Sequence, residues 1–433
     1  MAQSPYAMTW STDTYGPDGP WNALSADIGT QQQSIALYPG GNWESTILLP
    51  TLCTNTSIPS TCYAKDAGIY NADDSLTWDN DTIQQPPDGN WQNYTLGFAE
   101  NVPIYASARR AMDTITLRGG ITIRHPSLIG ISQGYQTYPG GQNYPLEVRV
   151  LSLGANALNQ TFSINDTHAI EANFITGWMY ESGKIPSYSY GMHIGSAGKK
   201  ISGSLVLGGD DVTRVLGDVW SQPYNGTKFP IRLLDIGIGI VTGTEVLLIG
   251  ADPYLYLPQN TCNAITTRLP VIYNTRLGLY IWNTKDTQYL KIVKSPSYLS
   301  FTFAANASST IDTNSNHTIT IKVPFALLDL KLEPPLVDEE MAYFPCMRTT
   351  PAAADEGPYV LGLAFFQAAF VGVNWSLNGN GNWFLAQAPG PGYSRSESES
   401  NVISIFETNE TISGSFEQDD WEETWDGSLD SVD

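Results

Sequence analysis

The chain has 433 residues, enough for two to three domains or one large bilobal one. Only 15% of residues are charged, while Gly, Pro, Tyr, Trp, Ser, Thr and Asn are plentiful, a mix that favours strands and turns over helices. The net charge of −22 is uneven, since residues 394–433 hold 12 Asp/Glu and one Arg; with no basic stripe to meet phosphate, nucleic acid is excluded as a partner.

In chain order, residues 1–24 are rich in Pro, Gly, Trp and Tyr and read as an ordered leader onto the first sheet. Met1-Ala2 ahead of Gln3-Ser4-Pro5 reads as a start codon added to a mature N-terminus. From about residue 25 to 392, short strands alternate with Gly/Pro/Asn/Asp turns. Period-two alternation marks strands at Asp113–Leu117, Leu146–Leu153 and Thr318–Val323. Helical patterns are few: Ala169–Glu181 with Asp166 or Thr167 as cap, Asn260–Leu269, and Val323–Leu330. The pair Arg109-Arg110 reads as solvated, and residues 394–433 lack periodicity and read as a disordered tail or stalk. No run of about 20 apolar residues occurs, so no membrane span is expected.

Ten sequons, at Asn55, Asn80, Asn93, Asn159, Asn165, Asn225, Asn306, Asn316, Asn374 and Asn409, point to passage through the secretory pathway. The four cysteines agree, and of their three possible connectivities the expected one is Cys53–Cys62 with Cys262–Cys346. In the chain-entropy account the long loop contributes about 4.6 kcal/mol and the short one about 2.7. The four histidines, His125, His168, His193 and His317, show no paired metal spacing, so neither a metal nor another cofactor is expected. Glycines at Gly195, Gly198 and Gly208-Gly209 fit turns rather than phosphate loops, and no Gly-x-Ser-x-Gly elbow occurs.

Residues 28–50, IGTQQQSIALYPGGNWESTILLP, resemble the strand pair and first active-site loop of pepsin-like aspartic proteases, where IGTPPQ precedes an Asp-Thr-Gly-Ser loop, an apolar strand and often a cysteine. Here the apolar strand and Cys53 stand in place, and the aspartate does not. Residues 243–262, GTEVLLIGADPYLYLPQNTC, are similar to the second active-site loop. Ile185–Val212 resembles the segment approaching the end of the first lobe in fungal members, Leu233–Val241 a strand opening the second, and Tyr359–Ala388 the closing segment; Tyr343-Phe344-Pro345-Cys346 also suits the fungal branch. The resemblance covers about residues 20–390. It implies an all-β, bilobal pepsin-like fold with a central cleft and a few short helices: a first lobe at 25–220, a second at 221–392 and the acidic tail at 393–433.

In that family the catalytic Asp lies nine residues before the proline ending the next strand. Counting back from Pro258 gives Ile249; counting back from Pro50 gives Gly41, and forward from Ile28-Gly29-Thr30 gives Gly40. Both loops therefore lack the acid that the two-carboxylate mechanism needs. Glu44 and Asp252 hold the fourth place of each loop and read either as a displaced acid pair or as a solvated Glu and a turn Asp before Pro253. Asp27 and Asp235 each start an Asp-x-Gly upstream of the loops and read as strand residues.

The first functional expectation is a catalytically inactive, secreted or cell-surface glycoprotein that binds a peptide, protein or polysaccharide, with Tyr38, Trp43, Glu44, Asp252 and Tyr254 lining the cleft. The others are a hydrolase with a displaced site in that cleft, and a surface sensor or adhesin ectodomain on an acidic stalk. Inactive plant relatives that inhibit glycoside hydrolases add an inhibitor role by analogy alone.

Overall fold

The computed structural model describes residues 3–40, 43–54, 62–85, 92–94, 102–165, 168–224, 231–237, 240–248, 251–304, 318–349, 359–376, 381–392, 401–414 and 418–429. The fold is dominated by several β-sheets, with 47% strand and 14% helix. The all-β expectation is corrected by five α-helices among the described residues: Ala64–Ala67, Ile175–Glu181, Gln259–Thr266, Thr287–Val293 and Leu363–Phe366.

An eleven-stranded sheet is built from residues 10–173, and a seven-stranded sheet from residues 231–361. A six-stranded sheet joins the two parts of the chain, pairing Ser189–His193 with Ala369–Asn374. Side-chain alternation fixes which face each strand buries. Tyr298–Ala304 turns Leu299, Phe301 and Phe303 inward, and its partner Thr318–Pro324 does the same with Ile319, Ile321 and Val323.

Two arrangements of parallel strands, one in each part, position the site. In the first, Gln33–Gly40 runs parallel to Arg149–Ser152, with Gly40 opposite Ser152. The chain then continues into Ser45–Leu48, whose Ser45 and Thr46 hydroxyls accept from the Ser152 and Val150 amides at 2.9 and 3.2 Å. In the second, Ile240–Leu248 runs parallel to Tyr359–Leu361, with Leu248 opposite Leu361, and Leu255–Leu257 pairs antiparallel to Tyr359–Leu361.

Several expected elements shift. Asp113–Leu117 lies inside the strand Ile104–Leu117, and Leu146–Leu153 contracts to Arg149–Ser152. The helix expected at 260–269 forms at Gln259–Thr266. Of Ala169–Glu181 only Ile175–Glu181 is helical, because residues from His168 to Asn173 pair as a strand with Asn159–Asn165. No helix forms over Val323–Leu330: the strand runs to Pro324 and two tight turns follow. The expected boundaries at 24/25 and 220/221 fall within the strands Trp21–Ile28 and Leu216–Pro223.

The acidic tail is the largest correction, because residues 401–414 and 418–429 are packed rather than disordered. Val402–Ser404 pairs antiparallel with Gly209–Asp211. Ile405 and Ile412 join Val215, Phe370, Phe384 and Ala386 in one apolar cluster. Trp421 and Trp425 are buried; Lys322 sits over the Trp421 ring at 4.8 Å, and the Gly390 amide donates to Thr424 Oγ1 at 2.8 Å. Charge density concealed these apolar anchors, which burial rewards at about 25 cal/mol per Å².

Candidate functional site

A cavity of about 90 Å³ lies where the Arg149–Ser152 strand of the first arrangement meets residues 251–253 and Leu363 of the second. One water needs roughly 10–15 Å³ by this measure, so several waters or one small ligand group would fit. Its charged lining is Asp18, Glu147, Arg149 and Asp252, set among Trp21, Tyr38, Tyr138 and Tyr256.

Asp18 is held by a turn that crosses to the second part of the chain. The Glu333 and Lys331 amides donate to the Pro17 and Gly19 carbonyls at 2.7 and 3.0 Å, and the Tyr343 hydroxyl donates to the Asp18 carbonyl. Gly16 is required in this turn, since its φ is +96° and a Cβ there would meet Trp21 Cδ1 at 2.8 Å and the Tyr38 hydroxyl at 2.9 Å. The Asp18 carboxylate accepts from Trp21 Nε1 at 3.0 Å and from the Tyr254 hydroxyl at 2.8 Å. Tyr254 thus spends its proton on Asp18, so Tyr138 is the donor in the 2.6 Å contact between the two hydroxyls. Burial pushes the Asp18 carboxyl up, and the bonds from Trp21 and Tyr254 oppose the shift. Burial also raises the Tyr38, Tyr138, Tyr254 and Tyr256 hydroxyls well above their ordinary value, so all four stay neutral.

Glu147 and Arg149 leave the same strand region two residues apart. The Gly16 amide donates to Glu147 Oε1 at 3.3 Å, and burial pushes this carboxyl up to about 7. Arg149 is buried, which lowers its guanidinium to about 10 while Tyr38 and Asp252 oppose the shift. Its Nε has no hydrogen-bond partner among the described residues. The Asp252 carbonyl accepts from the Leu363 amide at 2.6 Å, which ties its loop to the Leu363–Phe366 helix.

Of the residues expected in a cleft, Tyr38 and Asp252 line this cavity and Tyr254 touches it through Asp18. Trp43 is 40% exposed and meets Phe174 edge-on at 5.1 Å. Glu44 is outside the cavity lining and forms a two-pronged ion pair with Arg110, while Ser127 donates to it at 3.2 Å and Phe162 lies under the guanidinium at 4.4 Å. Glu44 and Asp252 are therefore not brought together as an acid pair, and Arg110 is not the solvated residue expected. Gly40 ends its strand, while Gly41 and Ile249 lie outside the described residues. Asp27 and Asp235 sit in strands, and neither lines the cavity.

Both expected disulfides, Cys53–Cys62 and Cys262–Cys346, are formed, consistent with an oxidising, extracellular environment. No helix among the described residues is long and apolar enough to cross a membrane. Asn374 is corrected as a glycan acceptor. It is fully buried, and its Nδ2 donates to the Phe406 and Asn409 carbonyls of the tail at 3.0 Å each. Asn159 and Asn409 are part-exposed, and Asn409 Oδ1 accepts from the Phe406 amide at 2.6 Å; Asn80 is also part-exposed. Asn93 and Asn165 lie in strands whose side chains fall outside the description, as do Asn55, Asn225, Asn306 and Asn316 altogether.

Sequence reading missed Asp18, Glu147, Arg149, Tyr138 and Tyr256. A signal for two of them was present, since Glu147 and Arg149 are adjacent charges on one face of the otherwise apolar LEVRVLSL. Comparisons with protein-family models and with curated proteins find no match for this chain.

Proposed function

We propose that this chain is a pepsin-like scaffold, secreted or displayed at a cell surface, that binds a neutral polar segment of a ligand without hydrolysing it. The observation that carries the reading is the buried Arg149, which lines the cavity and whose Nε has no hydrogen-bond partner among the described residues. A buried N–H left unsatisfied costs about 1–3 kcal/mol, and a ligand oxygen accepting from it recovers that cost. Asp18, Glu147 and Asp252 disfavour an anion there, and Arg149 disfavours a simple cation. What remains is a neutral group that both donates and accepts, such as a peptide amide or a sugar hydroxyl, flanked by Tyr38 and Tyr256.

The paired parallel-strand arrangements support the pepsin-like reading, and Gly40, Gly41 and Ile249 supply no carboxylate for its chemistry. A second reading rests on Glu147: a carboxyl raised to about 7 in the same cavity lining as Asp252 is the kind of group a displaced hydrolytic site would use. The stalk of the sensor or adhesin reading loses its basis over residues 401–414 and 418–429, which are packed. The test is a screen of purified protein against peptide and glycan arrays at pH 5 and 7, with product analysis. Saturable binding without products is expected; pepstatin-sensitive peptide cleavage would overturn the proposal, and product formation abolished by Glu147→Gln would favour the second reading.

A further inference from the structure

The C-terminal segment pairs with a strand whose central carboxyl has no hydrogen-bond partner among the described residues. Asp210 is the central residue of Gly209–Asp211, the strand that pairs antiparallel with the tail strand Val402–Ser404, with Ile403 directly opposite. It is fully buried, and neither carboxyl oxygen has a hydrogen-bond partner among the described residues.

The groups around it offer no relief. On its own strand, Asp211 adds a second negative charge, and that charge is already bound by the Thr213 amide at 3.1 Å, the Thr213 hydroxyl at 2.6 Å and Arg214 at 3.7 Å. On Ser189–His193, Gly191 leaves the space Asp210 occupies, since a Cβ there would lie 2.7 Å from Asp210 Cβ. His193 lies two residues along, on the same face. It is buried with Nε2 at 2.9 Å from the Gln367 carbonyl, and burial and Arg214 push its pKa down to about 3, so it stays neutral. Ser204, on the next strand, donates to Asp211 at 3.4 Å. Ala369–Asn374 presents Phe370, and the tail residue opposite Asp210 in register is Ile403, itself 37% exposed. Burial and Asp211 push the Asp210 carboxyl up to about 7.

We propose that segment 401–414 is a proton-controlled clasp, seated on Gly209–Asp211 while Asp210 is protonated and lifted when Asp210 ionises. An ionised carboxylate without donors in an apolar seat is strongly disfavoured, and water reaches it most directly by displacing the strand paired beside it. That strand pairs over three residues, Gly209 to Ser404, Asp210 to Ile403 and Asp211 to Val402, and its flanks are held by the Val212 amide on the Asn401 carbonyl, the Ile405 amide on the Gly208 carbonyl and the Asn374 side chain. Lifting it uncovers a sheet edge and the apolar strip of Val215, Phe370, Phe384 and Ala386. The sign follows from the raised carboxyl. The clasp is fully seated below about pH 4, where a free Asp is protonated too. Its hold weakens as pH rises and is lost through about pH 7.

Hydrogen–deuterium exchange on the full chain at pH 5 and pH 8, corrected for the intrinsic pH dependence of exchange, reads the clasp directly. Peptides covering 401–414 are expected to lose at least about tenfold in protection at pH 8, while peptides covering Thr318–Pro324 hold theirs. Asp210→Asn, or Asp210→Thr if the first variant does not fold, is expected to keep 401–414 protected at both pH values. Equal corrected protection of the wild-type segment at pH 5 and 8, or an unchanged pH response in the variant, would overturn the proposal.

Discussion

Asp113 and Arg149 both bury a charge in residues of the eleven-stranded sheet, yet their surroundings differ in kind. The Asp113 carboxylate accepts from Ser75 Oγ at 3.1 Å, Thr77 Oγ1 at 2.5 Å, its neighbour Thr114's amide at 2.8 Å, and the Tyr70 hydroxyl. Nothing is left over, so the cluster fastens residues 70–77 to the sheet and does no more. Arg149 lines a cavity, its Nε has no hydrogen-bond partner among the described residues, and the same lining holds Glu147, whose carboxyl burial pushes up to about 7. A complete buried network holds structure; an incomplete one waits for a group from outside. Asp210 is a third case, in which the missing group is a proton or water.

The sharpest break of this comparison is Asp113→Ala, which strands four donors around an emptied site. It is expected to lower the unfolding free energy by about 3–5 kcal/mol in denaturant titration. A loss under about 1 kcal/mol would remove the distinction between complete and incomplete networks. Trp421→Ala comes next, at roughly 3–4 kcal/mol, because the ring is buried against Tyr298 and Lys322; a neutral result would return the tail to the disordered state its composition suggested. Asp210→Asn works in the opposite direction. The wild type loses stability as pH rises from about 4 through 7, so the variant is expected to be more stable at pH 8 by roughly 2–4 kcal/mol, with little difference at pH 4. The smallest effect belongs to Glu147→Gln. It leaves the fold intact and flattens a few-fold change in ligand affinity between pH 6 and 8, measured by titration at each pH.

Much of the fold was legible because strand alternation and cysteine pairing are local or few-choice signals. Leu299, Phe301 and Phe303 declare their face by spacing alone, and both disulfides formed as expected. The site was far less legible, since its contacts are long-range. Tyr138 and Tyr254 are 116 residues apart, and Tyr254 and Asp18 are 236 apart. Glu44 held the right place in its loop but is claimed by Arg110, 66 residues away, a partner no loop comparison contains. The tail misled for a different reason. Its charge count is an average, while its packing rests on four apolar residues, Ile405, Ile412, Trp421 and Trp425.

The central claim is that the cavity binds through Arg149 and does not cut. The direct measurement is calorimetric titration of wild type and Arg149→Met with the strongest peptide or glycan from the array screen, with mass spectrometry of the same samples for products. Wild type should show saturable binding with no products. Arg149→Met should bind at least about tenfold more weakly, the loss of one charged hydrogen bond, while unfolding at a similar denaturant concentration. Products in the wild-type sample, or equal affinity in the variant, would contradict the account.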